Sequence, residues 1–350
     1  MSFAPVARPV RIAVLGAGRI GQMHAELLAR RVDGASVPFI FDAVPAVASA
    51  VGGRLGLPVA ASIDEIMRSD QVEAVAICSS TDTHVELIEA AATAGKAIFC
   101  EKPISLDLAL VDRGLAAVRA AGVPLMIGFN RRFDPTHRAV HDAVATGKVG
   151  DVHLVRISSR DPSPPPIAYI KVSGGIFLDM TIHDFDMARF VTGSEIVSVT
   201  AKGAVRVDPA IGEAGDLDTV VIVIEHANGA ITTIDNSRQA VYGYDQRVEV
   251  LGSAGMVASE NPLATTTMFR DATGTHQDTL PYFFLDRYIP SYLAEWDAFV
   301  AALTDGTPPP VSGNDGRAPL IAGLAAWRSF REGRTVTTAE IDDQHAGDRR

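Results

Sequence analysis

Residues Val10 to Leu15, VRIAVL, run directly into Gly16-Ala17-Gly18-Arg19-Ile20-Gly21 and then into a helical pattern through Met23, Leu27 and Leu28. A strand, a glycine loop and a helix in that order leave few folds open. Gly16 permits the tight turn, Gly18 lets backbone amides approach a pyrophosphate, and Gly21 lets helix and strand pack closely, while the helix N-terminus favours an anion. Arg19 and Ile20 complete the loop. The next apolar run, Val37 to Phe41, ends at Asp42, 21 residues past Gly21. That spacing suits a carboxylate accepting hydrogen bonds from a ribose diol. Asp42 points to NAD, because it would repel a 2'-phosphate and Ala43 and Val44 offer no compensating cation.

The alternation of strands and helices continues. Ser62-Ile63-Asp64-Glu65 is a capping box opening a short helix, and Val72 to Cys78 reads as a strand. Ser79, Ser80 and Thr81 follow at its carboxyl end, the edge where doubly wound sheets bind ligands. His84 starts a helix that runs to Gly95, either as a cofactor neighbour or simply as a solvated residue. Ala97 to Cys100 is the next strand, ending in Glu101-Lys102-Pro103. Lys102 therefore points into the crevice expected to hold the nicotinamide, with Glu101 beside it, and a cis Lys102–Pro103 bond would fix its direction. A helix over about 107–121 and a strand Pro124 to Phe129 complete the sheet, and Asn130-Arg131-Arg132-Phe133 marks the exit from a first domain of residues 1–130.

In residues 131–350 the pattern changes to short strands with turn signals: Val152–Ser158, Ile196–Ala201, Thr219–Glu225, Ala230–Asn236, Gln246–Leu251 and Met256–Ser259. This predicts one open antiparallel sheet. Residues 161–173 contain Pro164-Pro165-Pro166 and form a loop, while 285–303 and 319–330 read as helices. Between the strands lies GGIFLDMTIHDFDMARF, residues 174–190, where Asp179 and His183 are four apart and would share one helical face. They could be an acid–base pair, two ligands of a divalent metal, or members of a solvated face with Asp184 and Asp186. The glycine loop and Lys102 favour the acid–base pair.

The chain has 350 residues and a net charge of −11, without a Lys/Arg cluster, which argues against a nucleic-acid partner. No run approaches 18 uninterrupted apolar residues, and the N-terminus lacks a signal-peptide pattern, so a cytoplasmic protein without a membrane span is expected. Cys78 and Cys100 end predicted strands and read as buried free thiols, although a disulfide is conceivable.

GAGRIG, Glu101-Lys102-Pro103, Gly128-Phe129-Asn130-Arg131-Arg132-Phe133-Asp134 and Asp179-Met180-Thr181-Ile182-His183, in that order, resemble the Gfo/Idh/MocA oxidoreductases over nearly all of residues 10–335. The segments SRDPSPPP at 159–166, GGIFLDMTIHDFDMARF and Tyr242-Gly243-Tyr244-Asp245 resemble inositol 2-dehydrogenases. The resemblance implies an α/β fold: a Rossmann doubly wound parallel sheet, then an α+β domain with a large, mostly antiparallel open sheet that forms a dimer or tetramer interface. It implies that a last helix, about 318–330, packs back on the first domain. It places Lys102 and His183 on the reacting hydroxyl with Asp179 beside them, and Asn130, Arg131, Asp161, Met180 and Tyr244 around a cyclic polyol. Asp161 and Asn130 stand where related enzymes can carry Asn and Met.

The expected reaction is NAD-dependent oxidation of an inositol or a similar ring polyol, with no metal. An imidazole ordinarily titrates near neutral pH and suits a general base; an ammonium at Lys102 would stabilise developing alkoxide charge. An aldose or pyranose dehydrogenase, a non-catalytic NAD sensor and a metal hydrolase are the alternatives.

Overall fold

The computed structural model describes residues 8–348. Residues 1–7, the start of the stretch read as lacking a signal peptide, lie outside the described residues. The chain divides into two compact units: residues up to Phe129 with Tyr292–Arg317, and Asn130–Ser291 with the chain from Ala318 onward.

The first unit contains a parallel sheet in which strand Val10–Leu15 lies between the short strands Ala35–Ser36 and Ile40–Phe41 on one side and Ala74–Ile77 on the other, followed by Ala97–Glu101 and Leu125–Gly128. The chain leaves the first strand towards one side and later returns to the other. That reversal is the switch point at which such sheets bind ligands beyond their carboxyl ends. The continuous strand expected over 37–41 is instead two short pieces flanking Pro38, because proline has no N–H to donate to a ladder. Helix Leu108–Ala121 shows how local chemistry sets boundaries. The Asp107 carboxylate accepts from the N–H groups of Ala109 and Leu110, Leu108, Val111, Leu115 and Val118 form the buried stripe, and Gly122 closes the helix in the left-handed region.

The segment that returns to this unit is 292–317 rather than 318–330. Side chains decide the assignment. Trp296 and Phe299 pack on Phe99, and Gly313 and Gly316 abut Leu115 and Ile104, whereas Gly323 abuts Leu178 and Trp327 meets Phe177 edge-on.

The second unit is built on a seven-stranded sheet, ordered Gly255–Ser259, Asp245–Gly252, Val152–Arg160, Ile231–Ser237, Thr219–His226, Ile196–Ala204 and Val336–Thr337. All six predicted strands are present. The sheet is mixed rather than wholly antiparallel, since Val152–Arg160 and Ile231–Ser237 run parallel in its middle. Strand Thr219–His226 alternates strictly: Val220, Ile222 and Ile224 are buried, while Val221 and Val223 are 53% and 41% exposed. Helices Pro135–Ala145 and Ile182–Thr192 pack on one another and on this sheet. The exposed hairpin Met268–Asp271/Gly274–Gln277 and helix Thr338–Asp348 have no counterpart in the sequence pattern; every residue of the hairpin strands is exposed, so no buried alternation marks them.

Candidate active site

In the first unit the glycine loop is fixed by contacts that only glycine tolerates. Gly16 has φ +100°, and a Cβ there would lie 2.6 Å from the Ser79 nitrogen; a Cβ on Gly21 would lie 1.9 Å from the Gly16 oxygen. At Gly18 a Cβ would meet nothing within 4 Å, so the loop backbone is open to a ligand there. Arg19 and Ile20 open helix Arg19–Arg30 beside it. Asp42 closes the other side. Its Oδ2 accepts from the Ala17 N–H at 2.7 Å and its Oδ1 from the Val44 N–H at 2.8 Å, which leaves a lone pair on each oxygen for ribose hydroxyls. These features suit a dinucleotide diphosphate and an unphosphorylated ribose.

Ser79 lies against Gly16, and its Oγ pairs with Thr83 Oγ1 at 2.6 Å; Thr83 also donates to the Ser80 carbonyl and so shapes the Ser80-Thr81 turn. His84 is buried, which removes the solvated reading. Its Nδ1 is 2.9 Å from the Pro103 oxygen and its Nε2 is 3.1 Å from the Ser79 oxygen, so it braces two loops from below. Burial lowers its pKa despite both carbonyls. The Lys102–Pro103 bond is cis.

Glu101, expected beside the cofactor, makes bonds within the protein. Trp296 Nε1–H donates to His24 Nδ1 at 2.9 Å, which places the imidazole proton on Nε2, and Nε2 donates to Glu101 Oε1 at 2.7 Å. Glu101 Oε2 in turn accepts from the Lys102 backbone N–H at 3.3 Å. This buried chain supports the backbone of Lys102. Sequence spacing could not reveal it, because Trp296 and His24 are 272 positions apart.

In the second unit Asp179 and His183 do not share one helix. Asp179 ends the short helix Ile176–Asp179, and His183 lies in the first turn of Ile182–Thr192. At the junction the Thr181 N–H reaches back to the Ile176 carbonyl, and the Thr181 hydroxyl donates to Asn236 Oδ1 at 2.5 Å. That buried bond holds the break. Asp179 Oδ1 accepts from the Tyr169 hydroxyl at 2.8 Å, and its Oδ2 accepts from Arg238 Nη1 at 3.4 Å. Met180 is buried beside it.

Asp184 and Asp186, read as members of a solvated face, are both buried. Arg131 Nη1 donates to Asp184 Oδ1 at 2.7 Å, and Arg132 makes a two-point pair with Asp186 at 2.8 and 2.6 Å. Arg131 Nη2 also donates to the Tyr244 hydroxyl at 3.3 Å, and the Asn130 amide donates to Ser291 Oγ at 3.0 Å. Arg131, Tyr244 and Asn130, expected on the substrate, thus make internal bonds that set the shape around them. Asp161 keeps some contact with solvent. Crowding by protein pushes its carboxyl up to about 6, with the Arg238 charge opposing and that of Asp179 adding to the shift. Among the described residues no group of three or more His, Cys, Asp and Glu is gathered as a metal-binding set, and Cys78 and Cys100 are free and buried.

A parallel sheet with a glycine loop at its switch point, in a chain that also forms an α+β unit, defines the class of two-domain nicotinamide oxidoreductases. Residues 10–129 match the model of the oxidoreductase family with an NAD-binding Rossmann fold, and residues 137–258 match the GFO/IDH/MocA C-terminal domain. The chain belongs to the GFO/IDH/MocA family. It is 48% identical to the myo-inositol 2-dehydrogenase of Thermotoga maritima, covering 95% of this chain and 99% of that protein. It is 50% identical to the inositol 2-dehydrogenase of Rhizobium meliloti over 94% and 99%. It also superimposes on the crystal structure of Lactobacillus casei scyllo-inositol dehydrogenase with bound NAD(H) and scyllo-inositol, with a TM-score of 0.89 at 30% identity over 95% of this chain and all of that one. Among the described residues no helix is long and apolar enough to cross a membrane.

Proposed function

We propose that the protein oxidises a ring secondary alcohol of myo- or scyllo-inositol to the corresponding inosose, using NAD. The observation that carries this reading is 48–50% identity, over 94–95% of the chain, to relatives named inositol 2-dehydrogenases. Lys102, Asp179 and His183 supply the chemistry. His183 accepts the hydroxyl proton. The Lys102 ammonium donates to the same oxygen and stabilises the negative charge that develops as the proton leaves. Asp179 orients these groups or an adjacent hydroxyl. Asp161 accepts from a further hydroxyl, while Asn130, Arg131, Met180 and Tyr244 hold the form of the polyol pocket. NAD, when bound by the glycine loop and Asp42, supplies the acceptor for the hydride leaving carbon.

The test is reduced-nicotinamide production by purified protein with NAD, then NADP, against myo-, scyllo- and D-chiro-inositol and both enantiomers of glucose. Turnover of an inositol with NAD is expected. Turnover of glucose alone would move the substrate to the aldoses, and tight NAD binding without any turnover would favour a sensor.

Asp42→Ala is expected to weaken NAD binding about 10- to 100-fold, because it removes charged acceptors from the ribose and from the Ala17 N–H. The preference for NAD over NADP should narrow at the same time. Fluorescence titration with both cofactors checks this, and an unchanged ratio would remove Asp42 from the ribose.

The exposed sheet face is the proposed surface of a homo-oligomer, a dimer or tetramer. Leu154 and Ile231 are paired neighbours on it, as are Val223 and Thr233, and Met256 extends it to the edge strand. Val221→Glu with Val223→Lys is expected to lower the mass found by light scattering to that of a smaller assembly; an unchanged mass would place the interface elsewhere. Buried free thiols at Cys78 and Cys100 fit a reducing, cytoplasmic setting.

A further inference from the structure

The proline-rich segment after strand Val152–Arg160 is tied down at its start: the Asp161 N–H donates to the Ser237 carbonyl at 2.9 Å, and the Ala240 N–H donates to the Asp161 carbonyl at 2.6 Å. After Pro164-Pro165-Pro166 it forms the short helix Ile167–Ile170, anchored by buried Ile170. Tyr169 on that helix is 48% exposed as a residue, yet its hydroxyl reaches Asp179 Oδ1 at 2.8 Å. Arg238, directly after strand Ile231–Ser237, is 1% exposed and meets the other oxygen of the same carboxylate at 3.4 Å. Its Nη2 donates to Asp216 Oδ2 at 3.3 Å. Asp216 Oδ1 accepts from the Ile176 N–H at 2.9 Å, at the first residue of the helix that ends in Asp179. Asp216 thus holds both the start of that helix and the arginine that holds its end.

We propose that Tyr169 and Arg238 are positioning residues for the oxidation, gripping one oxygen each of Asp179 so that its carboxylate is held in a single orientation. A carboxylate oxygen can accept more than one hydrogen bond. A carboxylate held at both oxygens presents its remaining lone pairs in one direction, which a freely rotating one cannot do without an entropic cost. Arg238 adds charge balance. The Asp161 carboxyl, raised by burial, is pulled down by Arg238 and Arg131 and pushed further up by Asp179 and Asp184, so Arg238 offsets part of the negative charge gathered there. The proline-rich segment, a loop by its sequence, thereby delivers Tyr169 to the site.

This inference rests on the reading of Asp179 as part of an inositol-oxidising site, so wild-type turnover is measured first. An inactive wild type defeats that reading; the outcomes below defeat the positioning role while wild type remains active. Tyr169→Phe, at a half-exposed position, is expected to lower kcat about tenfold, with KM for NAD unchanged, through loss of one hydrogen bond to a charged acceptor. Arg238→Met is expected to lower kcat further and to move the acid limb of the pH profile for kcat/KM upward by about one unit, because the cation that opposes the rise of the Asp161 carboxyl is gone. Arg238→Lys should restore the position of that limb while recovering only part of kcat, since a point charge replaces a planar fork. Far-UV circular dichroism together with NAD titration reports whether each variant keeps its fold, since Tyr169 and Arg238 lie in the second unit. Wild-type kcat in Tyr169→Phe, or an unmoved acid limb in an Arg238→Met protein that binds NAD, would overturn the proposal. If Arg238→Met does not fold, the Tyr169→Phe result decides alone.

Discussion

In the Lys102→Ala variant, kcat for inositol is expected to fall by about 10²–10³-fold while the dissociation constant for NAD stays within about threefold of wild type. The separation follows from where the residue sits. Lys102 directly follows strand Ala97–Glu101, and its backbone N–H donates to Glu101, whose carboxylate is fixed by His24 and, through it, by Trp296. Truncation at Cβ leaves that backbone chain intact. On the proposed mechanism, what is lost is a cation at the oxygen on which charge develops, an interaction that strengthens between ground state and transition state. Lys102→Arg keeps the charge but replaces a compact ammonium with a broad fork, so it should recover only part of the rate. His183→Ala should lose about 10²–10⁴-fold through a different step, removal of the hydroxyl proton. Its deficit should shrink as pH rises and hydroxide competes as the base, whereas that of Lys102→Ala should not. Stopped-flow measurement of reduced-nicotinamide formation, paired with NAD titration, separates the two. Equal losses in rate and cofactor affinity would place Lys102 in the cofactor site alone.

The glycine loop and the placement of Asp42 and Lys102 directly after strands were legible because the information is local. Each depends on residue types at fixed distances along one strand–loop–helix unit, and the observed contacts at Gly16 and Gly21 are those that such spacing demands. The alternating strands of the second unit were legible for the same reason. Elsewhere tertiary contacts override local pattern. Asp179 and His183 are spaced for one helix, but a buried bond from Thr181 to Asn236, 55 residues away, breaks it. Asp184 and Asp186 look like surface carboxylates on a helical wheel. Their partners Arg131 and Arg132 lie 53 and 54 residues upstream, and nothing in local periodicity shows that two arginines wait inside. The return of 292–317 to the first unit is hidden because the division falls inside two helices, Phe284–Asp305 and Gly313–Glu332, rather than between them, and only contacts such as those of Trp296, Gly313 and Gly316 mark it. Arg238 left one usable signal: an arginine directly after a predicted strand, shortly before Tyr242-Gly243-Tyr244-Asp245.

The buried Arg131–Asp184 pair leads to the second large effect, on stability rather than rate. Asp184 is held by Arg131 at 2.7 Å and by the Asn236 amide at 2.8 Å, and Arg131 is shared with Ser159 and Tyr244. Burial pushes the Asp184 carboxyl up to about 6, against the opposing pull of Arg131 and of the Asn236 hydrogen bond. Removing one partner leaves an uncompensated buried charge, so Arg131→Met and Asp184→Leu should each cost about 3–5 kcal/mol in urea unfolding at pH 8. The pH dependence has a definite sign. A carboxyl whose folded pKa exceeds its unfolded value holds a proton that the unfolded chain has released, so its contribution to stability falls as pH rises from about 4 towards 6. Without Arg131 the folded value rises further and the window widens upward. Arg131→Met should therefore lie closer to wild type at pH 5 than at pH 8, because Asp184 is then neutral. Replacing both residues removes the pair without leaving either charge alone, and the double variant should cost about 2 kcal/mol less than the sum of the singles. Strict additivity, or a deficit in Arg131→Met that does not change with pH, would mean that the Asp184 charge is balanced by its other neighbours and that the pair is not what holds this unit together.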